Sequence, residues 1–290
     1  MRAIVFVTLV GCSFSPSQAL DVDASTGNTG VDASGGGSHD APGSGSSGSG
    51  SSGSGGSNAP CYAPDASGLV LCLEFDDADL TGNSGVARDG SPARHDATVT
   101  NSDVTMRTVP MSSQAETIST TLEAPQATIQ AANSGDFDLQ QLTLMAWVEP
   151  TATPESGNAY GIIEKVDQFL LAIDDDGNLL CEVQGTGDVG VSAGDNVPVN
   201  SWSLIACTYD GNNVCTLVLP GGSGDSAQLH CESGPTPATL ETGSMNGPVI
   251  GGRYDGAVYN RLYGSLDSAR IFNRVLGQKD ICTGGGRTNC

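Results

Sequence analysis

From residue 66 onward the apolar residues come in short runs, many with a period of two, each soon broken by Gly, Asp, Asn or Pro. Side chains alternate faces along a strand but recur every three to four residues on a helix, so this pattern builds pleated sheet and contains no amphipathic helix of credible length. The predicted strands are Leu69–Phe75, Thr117–Leu122, Gln141–Val148, Gly161–Val166, Phe169–Ile173, Leu179–Val183, Ser201–Tyr209, Val214–Leu219, Ala227–Cys231, Val249–Ile250 and Gly264–Phe272. Many short strands with turn signals between them read as an antiparallel sandwich or barrel. Asp174-Asp175-Asp176-Gly177-Asn178 and Asp210-Gly211-Asn212-Asn213 each supply the chemistry of a hairpin turn. In Leu142–Val148 one face carries Leu142, Leu144, Ala146 and Val148 and points inward. The other carries Thr143, Met145 and Trp147, a mixed face expected of a central strand covered on both sides. Trp147 and Trp202 are expected to be packing residues. Ala78–Glu116 carries little strand signal.

The N-terminal end is organised differently. Met1-Arg2 precedes the apolar run Ala3–Val10, too short to span a bilayer but long enough for a signal core. Leu9-Val10-Gly11-Cys12 resembles the bacterial lipobox, which implies cleavage before Cys12, acylation of that residue and stable anchoring by several acyl chains. The alternative is an ordinary signal cut near Ser17-Gln18-Ala19. Ser13 resembles the residue type often sent on to the outer membrane. Residues 13–60 hold almost no apolar bulk and include a long Gly/Ser tract, expected to be disordered. A flexible chain of that length spans about 35–40 Å. The expected organisation is a signal over 1–11, a lipid-bearing Cys12 with a tether over 12–60, and one folded domain over 61–290. The expected location is the cell envelope, lipid-anchored, at the outer membrane or cell surface.

The chain carries 33 acids against 11 bases, a net charge of −22. That field repels phosphate backbones and excludes nucleic acid as an expected partner, while it favours divalent cations. Of nine cysteines, Cys12 is reserved for lipid. Cys61, Cys72, Cys181, Cys207, Cys215, Cys231, Cys282 and Cys290 remain, an even set that reads as disulfides in an exported chain. Cys207 and Cys215 are equidistant from Gly211 and are candidates to face each other across a hairpin, but the full set of pairings stays open. With no C-x-x-C pair and only His39, His95 and His230 present, a zinc site is not expected.

The ordered segments GLVLCLEFDD, FDLQQLTLMAWVEP, GIIEKVDQFLLAIDDDGNLLCEV, VPVNSWSLIACTYDGNNVCTLVLPGG and VIGGRYDGAVYNRLYGSLDSARIFNRVLGQKDI resemble the laminin-G-like, concanavalin A-like domains. The resemblance implies an all-β, antiparallel two-sheet jelly-roll sandwich. It also implies a structural calcium between the first and closing strands, held by Asp76 or Asp77 and by Asp267, where carboxylates and loop carbonyls supply hard oxygens. Alternatively Asp267 caps a turn and pairs with Arg270. The Asp174 turn does not continue as an EF-hand, since Leu179 and Gly185 stand where Gly and Glu are required.

Glu74-x-Asp76-x-x-Asp79 approaches the paired-carboxylate signature of β-glucanases, because residues two apart on a strand share a face. It sits on the opening strand and is followed by no aromatic cleft, so catalysis is not expected. Arg253, Tyr254, Tyr259, Arg261 and Tyr263 concentrate rings and bases in a chain poor in both, and rings stack on sugars while Arg supplies forked donors. They form the expected ligand contact; alternatively Tyr263 is core and the others cover the sheet. The leading expectation is a non-catalytic module that binds an extracellular glycan or glycoprotein. A glycan hydrolase or lyase, and a structural envelope protein, are the alternatives.

Overall fold

The computed structural model describes residues 67–75, 84–100, 105–111, 114–121, 128–186, 188–221, 228–232, 239–254, 258–287 and 290. Cys12, the tether and Cys61 lie outside them, as do Asp76, Asp77 and Asp79. Strands are numbered in chain order. Sheet one runs β14 (His230–Glu232), β13 (Val214–Pro220), β12 (Ser203–Tyr209), β7 (Leu142–Pro150), β18 (Gly264–Phe272), β5 (Gln114–Thr121) and β4 (Thr105–Met111), with β1 (Leu69–Leu73) also paired to β18. Sheet two runs β11 (Asp188–Asn196), β10 (Asn178–Gly185), β9 (Phe169–Ile173), β8 (Tyr160–Lys165), β15 (Val249–Ile250), β6 (Thr128–Ala131), β3 (Ala97–Thr100) and β2 (Ser84–Ala87). A small hairpin, β16 (Arg253–Tyr254) with β17 (Val258–Tyr259), stands apart, and one helix, α1 (Gln278–Gly284), follows β18. The ladders between these strands are antiparallel.

The last strand is the most shared. One edge of β18 pairs with β7 from Gly264↔Pro150 to Phe272↔Thr143. Its other edge pairs first with β5, at Ser265↔Thr121 and Leu266↔Thr120, and then with β1, from Ala269↔Leu73 to Phe272↔Leu69. A bulge between Asp267 and Arg270, with Ser268 at φ 50°, marks the handover.

The pleat sorts side chains as the alternation requires. Leu142, Leu144, Ala146 and Val148 enter the main core with Ile205, Val218 and Ile271 of sheet one and Ile163, Phe169, Leu171 and Val183 of sheet two. The mixed face of β7 is covered too. Met145 and Trp147 join Leu204, Ala206, Leu217 and Leu219 beneath Leu276 and the α1 residues Ile281 and Cys282. Thr143 belongs to the same cover: its Oγ1 donates to Arg274 O at 2.9 Å and accepts from Leu276 N–H at 2.9 Å. Trp147 Nε1 donates to Gly285 O at 3.0 Å, so this tryptophan is a packing residue whose one polar atom is satisfied at the end of the helix. Trp202 packs against the rim of the same cluster.

Both anticipated turns form. Asp174 Oδ1 accepts from the N–H of Asp176 and of Asn178, with Gly177 at φ 84°. Asp210 Oδ1 accepts from Asn212 and Asn213 N–H, with Gly211 at φ 97°. The Asp174 carboxylate thus closes a turn.

Three disulfides join described residues: Cys181–Cys207, Cys215–Cys231 and Cys282–Cys290. Cys72 is disulfide-bonded as well. Cys181–Cys207 crosses the core between β10 and β12, one strand from each sheet, with both residues fully buried. This corrects the expected apposition of Cys207 and Cys215. The register sets Cys207 opposite Thr216 and Cys215 opposite Thr208. A one-residue offset sends the two thiols to opposite faces, Cys207 into the core and Cys215 toward Cys231 on β14.

The stretch 78–116 also departs from expectation, since it contains β2, β3, β4 and the start of β5. Its strands are short or rich in Thr and Ser, such as ATVT and QAETISTT. They satisfy β propensity through β-branching without apolar alternation.

Candidate ligand-binding site

The β16–β17 hairpin lies on the outer face of sheet two because two glycines let backbone meet backbone. A Cβ at Gly161 on β8 would fall 2.3 Å from Gly252 O. Gly161 N–H instead donates to Asn260 O at 2.9 Å, and Gly161 forms an isolated bridge with Arg261. Glu164, one turn of the pleat along β8, fastens the same hairpin. Its Oε1 lies 3.4 Å from Arg253 Nε, and its Oε2 accepts from Tyr254 N–H. Glu164 is only 7% exposed. Burial pushes its carboxyl above the ordinary value, the Tyr254 N–H and the Arg253 guanidinium offset part of that rise, and the neighbouring Glu182 adds to it.

Where β8 begins, two rings meet. Tyr263 is 51% exposed, and its ring centroid lies 5.7 Å from that of the buried Tyr160 at an interplanar angle of 49°. Tyr160 is fixed from behind, its hydroxyl donating to Thr153 O at 3.2 Å. Tyr263 is fixed through its own carbonyl, which accepts Thr151 N–H at 2.8 Å and Thr151 Oγ1 at 3.1 Å. Burial lowers the Arg261 guanidinium from its ordinary value, and the Tyr263 hydroxyl acts against that shift. The arrangement offers a wet aromatic face on a rigid backing with a guanidinium beside it, the elements that stack on and hydrogen-bond a polyhydroxylated ring.

Of the expected ligand residues, the structure brings Arg261 to the exposed Tyr263. Tyr263 is therefore a surface ring, not a core residue. Arg253 and Tyr254, in contrast, are half-buried and cover the sheet. Tyr259 pairs with Arg253 in the hairpin ladder, and its side chain lies outside the described residues. Sequence reasoning missed Tyr160 and Glu164. An acid inside the apolar run GIIEKV was the available signal for the second, because an acid buried in a strand has a partner to meet.

The carboxylates of the opening strand are placed differently. Glu74 is nearly buried, its Oε1 accepting from Arg270 Nε at 3.2 Å and Nη2 at 3.0 Å and its Oε2 from Ser268 Oγ at 2.6 Å. Arg270 also donates through Nη1 to Gly284 O at the end of α1. Glu74 is thus engaged in joining β1, β18 and α1. Arg270 pairs with Glu74, in place of the ion pair with Asp267 weighed from sequence. Asp267 is fully buried at the β18 bulge, where its Oδ1 accepts Ser268 N–H at 2.7 Å. Among the described residues no group of three or more His, Cys, Asp or Glu side chains is arranged to hold a metal ion.

A family model described as the concanavalin A-like lectin/glucanases superfamily, Laminin_G_3, matches residues 123–282. C-reactive protein 1.1 of Limulus polyphemus is 24% identical over 156 residues, a match spanning 50% of this chain and 61% of that relative. Among solved structures, one of botulinum neurotoxin type C, whose cell entry depends upon interaction with two ganglioside molecules, aligns with TM-score 0.50 and 12% identity over 78% of this chain and 52% of that one. Domain 4 of AbnA, a GH43 extracellular arabinanase from Geobacillus stearothermophilus in complex with arabinotriose, aligns with TM-score 0.48 and 16% identity over 74% of this chain and 97% of that one. The family match covers more than half of the chain, starts just after β5 and runs into α1, across most of both sheets. The chain belongs to the concanavalin A-like lectin/glucanases superfamily as a laminin-G-like domain.

Proposed function

We propose that this protein is a non-catalytic binding module for an extracellular glycan or glycoprotein, with Tyr263 and Arg261 as its contact residues. The observation that carries this reading is the half-exposed Tyr263 ring braced at a tilt by the ring of buried Tyr160. A large ring left in water but fixed in orientation has little of its stacking free energy to lose as side-chain entropy. A glycan array identifies ligands, and titration of the best one with Tyr263→Ala and Arg261→Ala tests the site. Loss of binding by tenfold or more with unchanged unfolding midpoints supports it. An array without signal sinks it and favours a structural envelope role.

The superfamily's description spans lectins and glucanases, so the fold alone admits an enzyme. Against catalysis by an acid pair at Glu74 and Asp76 stands the commitment of Glu74 to Arg270 and Ser268.

Calcium held between Asp267 and Asp76 or Asp77 belongs to the same proposal. The complete burial of Asp267 supports it, because an ionised carboxylate removed from water is retained only with compensating donors or a cation. A chelator that lowers the melting temperature, reversed by added calcium, tests it. Disulfides suit an oxidising compartment, and we place the domain at the cell surface, attached to the membrane only through lipid on Cys12. Palmitate labelling lost in Cys12→Ala tests the anchor.

A further inference from the structure

The outer cover of sheet one holds a cavity of about 220 Å³, lined by Leu219 of β13, by Gln278, Lys279 and Cys282 of α1, and by Cys290. The two cysteines are joined to each other, so a disulfide forms part of the wall. Its sulfurs are unequally placed. Cys282 is buried in the apolar cluster beneath α1, whereas Cys290 is exposed. The other bonded cysteines are placed differently. Cys181 and Cys207 are both fully buried in the core. Cys72 is fully buried as well, and its Sγ lies 3.0 Å from the Glu74 carboxylate. Cys231 is exposed, but its strand neighbours are His230 and Glu232, a carboxylate that repels an anionic thiol.

The charge around this cavity is opposite to that of the chain. The whole chain has 33 acids against 11 bases, yet from residue 268 to residue 290 it carries Arg270, Arg274, Lys279 and Arg287 against Asp280 alone. Two of these bases reach the cavity. Lys279 lines it, three residues before Cys282 and so on the same side of the helix. Arg287 donates through Nη1 to the carbonyls of Leu219 at 3.0 Å and Pro220 at 3.1 Å. Cations beside a disulfide draw in an anionic thiol and stabilise the sulfur anion that leaves. We propose that the Cys282–Cys290 disulfide is an exchange site for a small thiol that carries a carboxylate. The incoming thiolate attacks the exposed Cys290 Sγ and forms a new S–S bond there. The Cys282–Cys290 bond breaks, and its electron pair leaves on Cys282 Sγ in the cavity that Lys279 lines, to be protonated by water. The exchange needs no outside oxidant or reductant, and the product carries the thiol on Cys290. The fold survives it because the segment after α1 has other ties. Trp147 Nε1 donates to Gly285 O, Arg270 Nη1 to Gly284 O, and Arg287 to the end of β13.

The test treats the whole folded protein with 3-mercaptopropionate, an anionic thiol, and separately with cysteamine, a cationic one. Acid-quenched samples are alkylated and mapped by mass spectrometry. The first adduct is expected on Cys290, with Cys282 alkylated, while the melting profile stays close to that of the untreated protein. Lys279→Glu, at an exposed position, should slow the reaction with 3-mercaptopropionate about fivefold or more at low salt, and should not slow cysteamine. That difference should shrink at about 1 M salt, where the screening length falls to about 3 Å. Arg88→Glu, an equal change of charge just after β2 of the other sheet, should leave both rates as they are in the parent. The proposal fails if the folded protein takes up no thiol, or if the first adduct forms on another cysteine. It fails equally if Lys279→Glu slows both thiols alike or neither, or if Arg88→Glu matches its effect.

Discussion

Replacing Glu74 by Ala should destabilise the domain severely without touching any ligand site. The carboxylate and Arg270 are 9% and 2% exposed and meet at 3.0 Å, so water screens them little. Removing one partner of a buried pair leaves the other charge desolvated and costs about 3–5 kcal/mol. Here Ser268 Oγ also loses its acceptor. The folded-to-unfolded ratio should fall by roughly two to four orders of magnitude, a large share of the stability of an ordinary domain. Replacing both partners by apolar residues of similar size, Glu74→Leu with Arg270→Met, removes the orphaned charge and should recover most of the loss. Guanidinium unfolding of the parent, the two single variants and the double variant closes the cycle. The reasoning is refuted if Glu74→Ala stays within about 1 kcal/mol of the parent, or if the double variant is as unstable as the sum of the singles. The experiment also bears on catalysis: lost turnover in Glu74→Ala would mean little unless folding were measured beside it.

Four further outcomes are expected. Cys181→Ala with Cys207→Ala opens a cross-link between residues 26 apart, and the chain-entropy treatment puts the loss at about 3.5 kcal/mol, read from the denaturation midpoint. Gly161→Ala drives a Cβ into Gly252 O, so it should lift the β16–β17 hairpin and abolish glycan binding while Trp147 fluorescence stays native. Tyr263→Ala, at a half-exposed position, should alter stability by no more than about 0.5 kcal/mol and still lose the ligand. Glu164 has a folded-state carboxyl raised chiefly by burial, so folding favours its protonated form. Its ionisation opposes folding at neutral pH, and that penalty fades as pH falls through the raised value toward the ordinary 4.5. Glu164→Gln should therefore raise the neutral-pH unfolding midpoint and flatten its rise on mild acidification; a steeper pH dependence would contradict the assignment.

The strands that face the main core were legible because each buries one continuous row. β9 and β18 fall where alternation and turn residues place them, Phe169–Ile173 and Gly264–Phe272. β11 was hidden for the opposite reason. Its outward residues are Val189 and Val191, both exposed, while Gly190 and Ser192 point in, with Gly194 beside them. The polarity is inverted because β11 closes tightly on β13, where a Cβ on Gly194 would lie 2.3 Å from Thr216 Oγ1. Helix α1 is seven residues long and buries only Ile281 and Cys282, too few to display a helical period. At the ligand site the sequence displayed the density of Tyr and Arg over 253–263. It could not show that Arg253 and Tyr254 answer to Glu164, because that partner lies 89 residues away from Arg253.

The sharing of β18 among β7, β5 and β1 sets the timing of assembly. Sheet one lacks its middle until residues 264–272 of a 290-residue chain have been made. A nascent chain ending at residue 263 would present open edges on three strands at once, and pulse proteolysis should find it cleaved throughout. The finished chain should become resistant in a single step. Until β18 is in place, β7 on one side and β1 with β5 on the other have no common partner, so closure of sheet one is a single cooperative event.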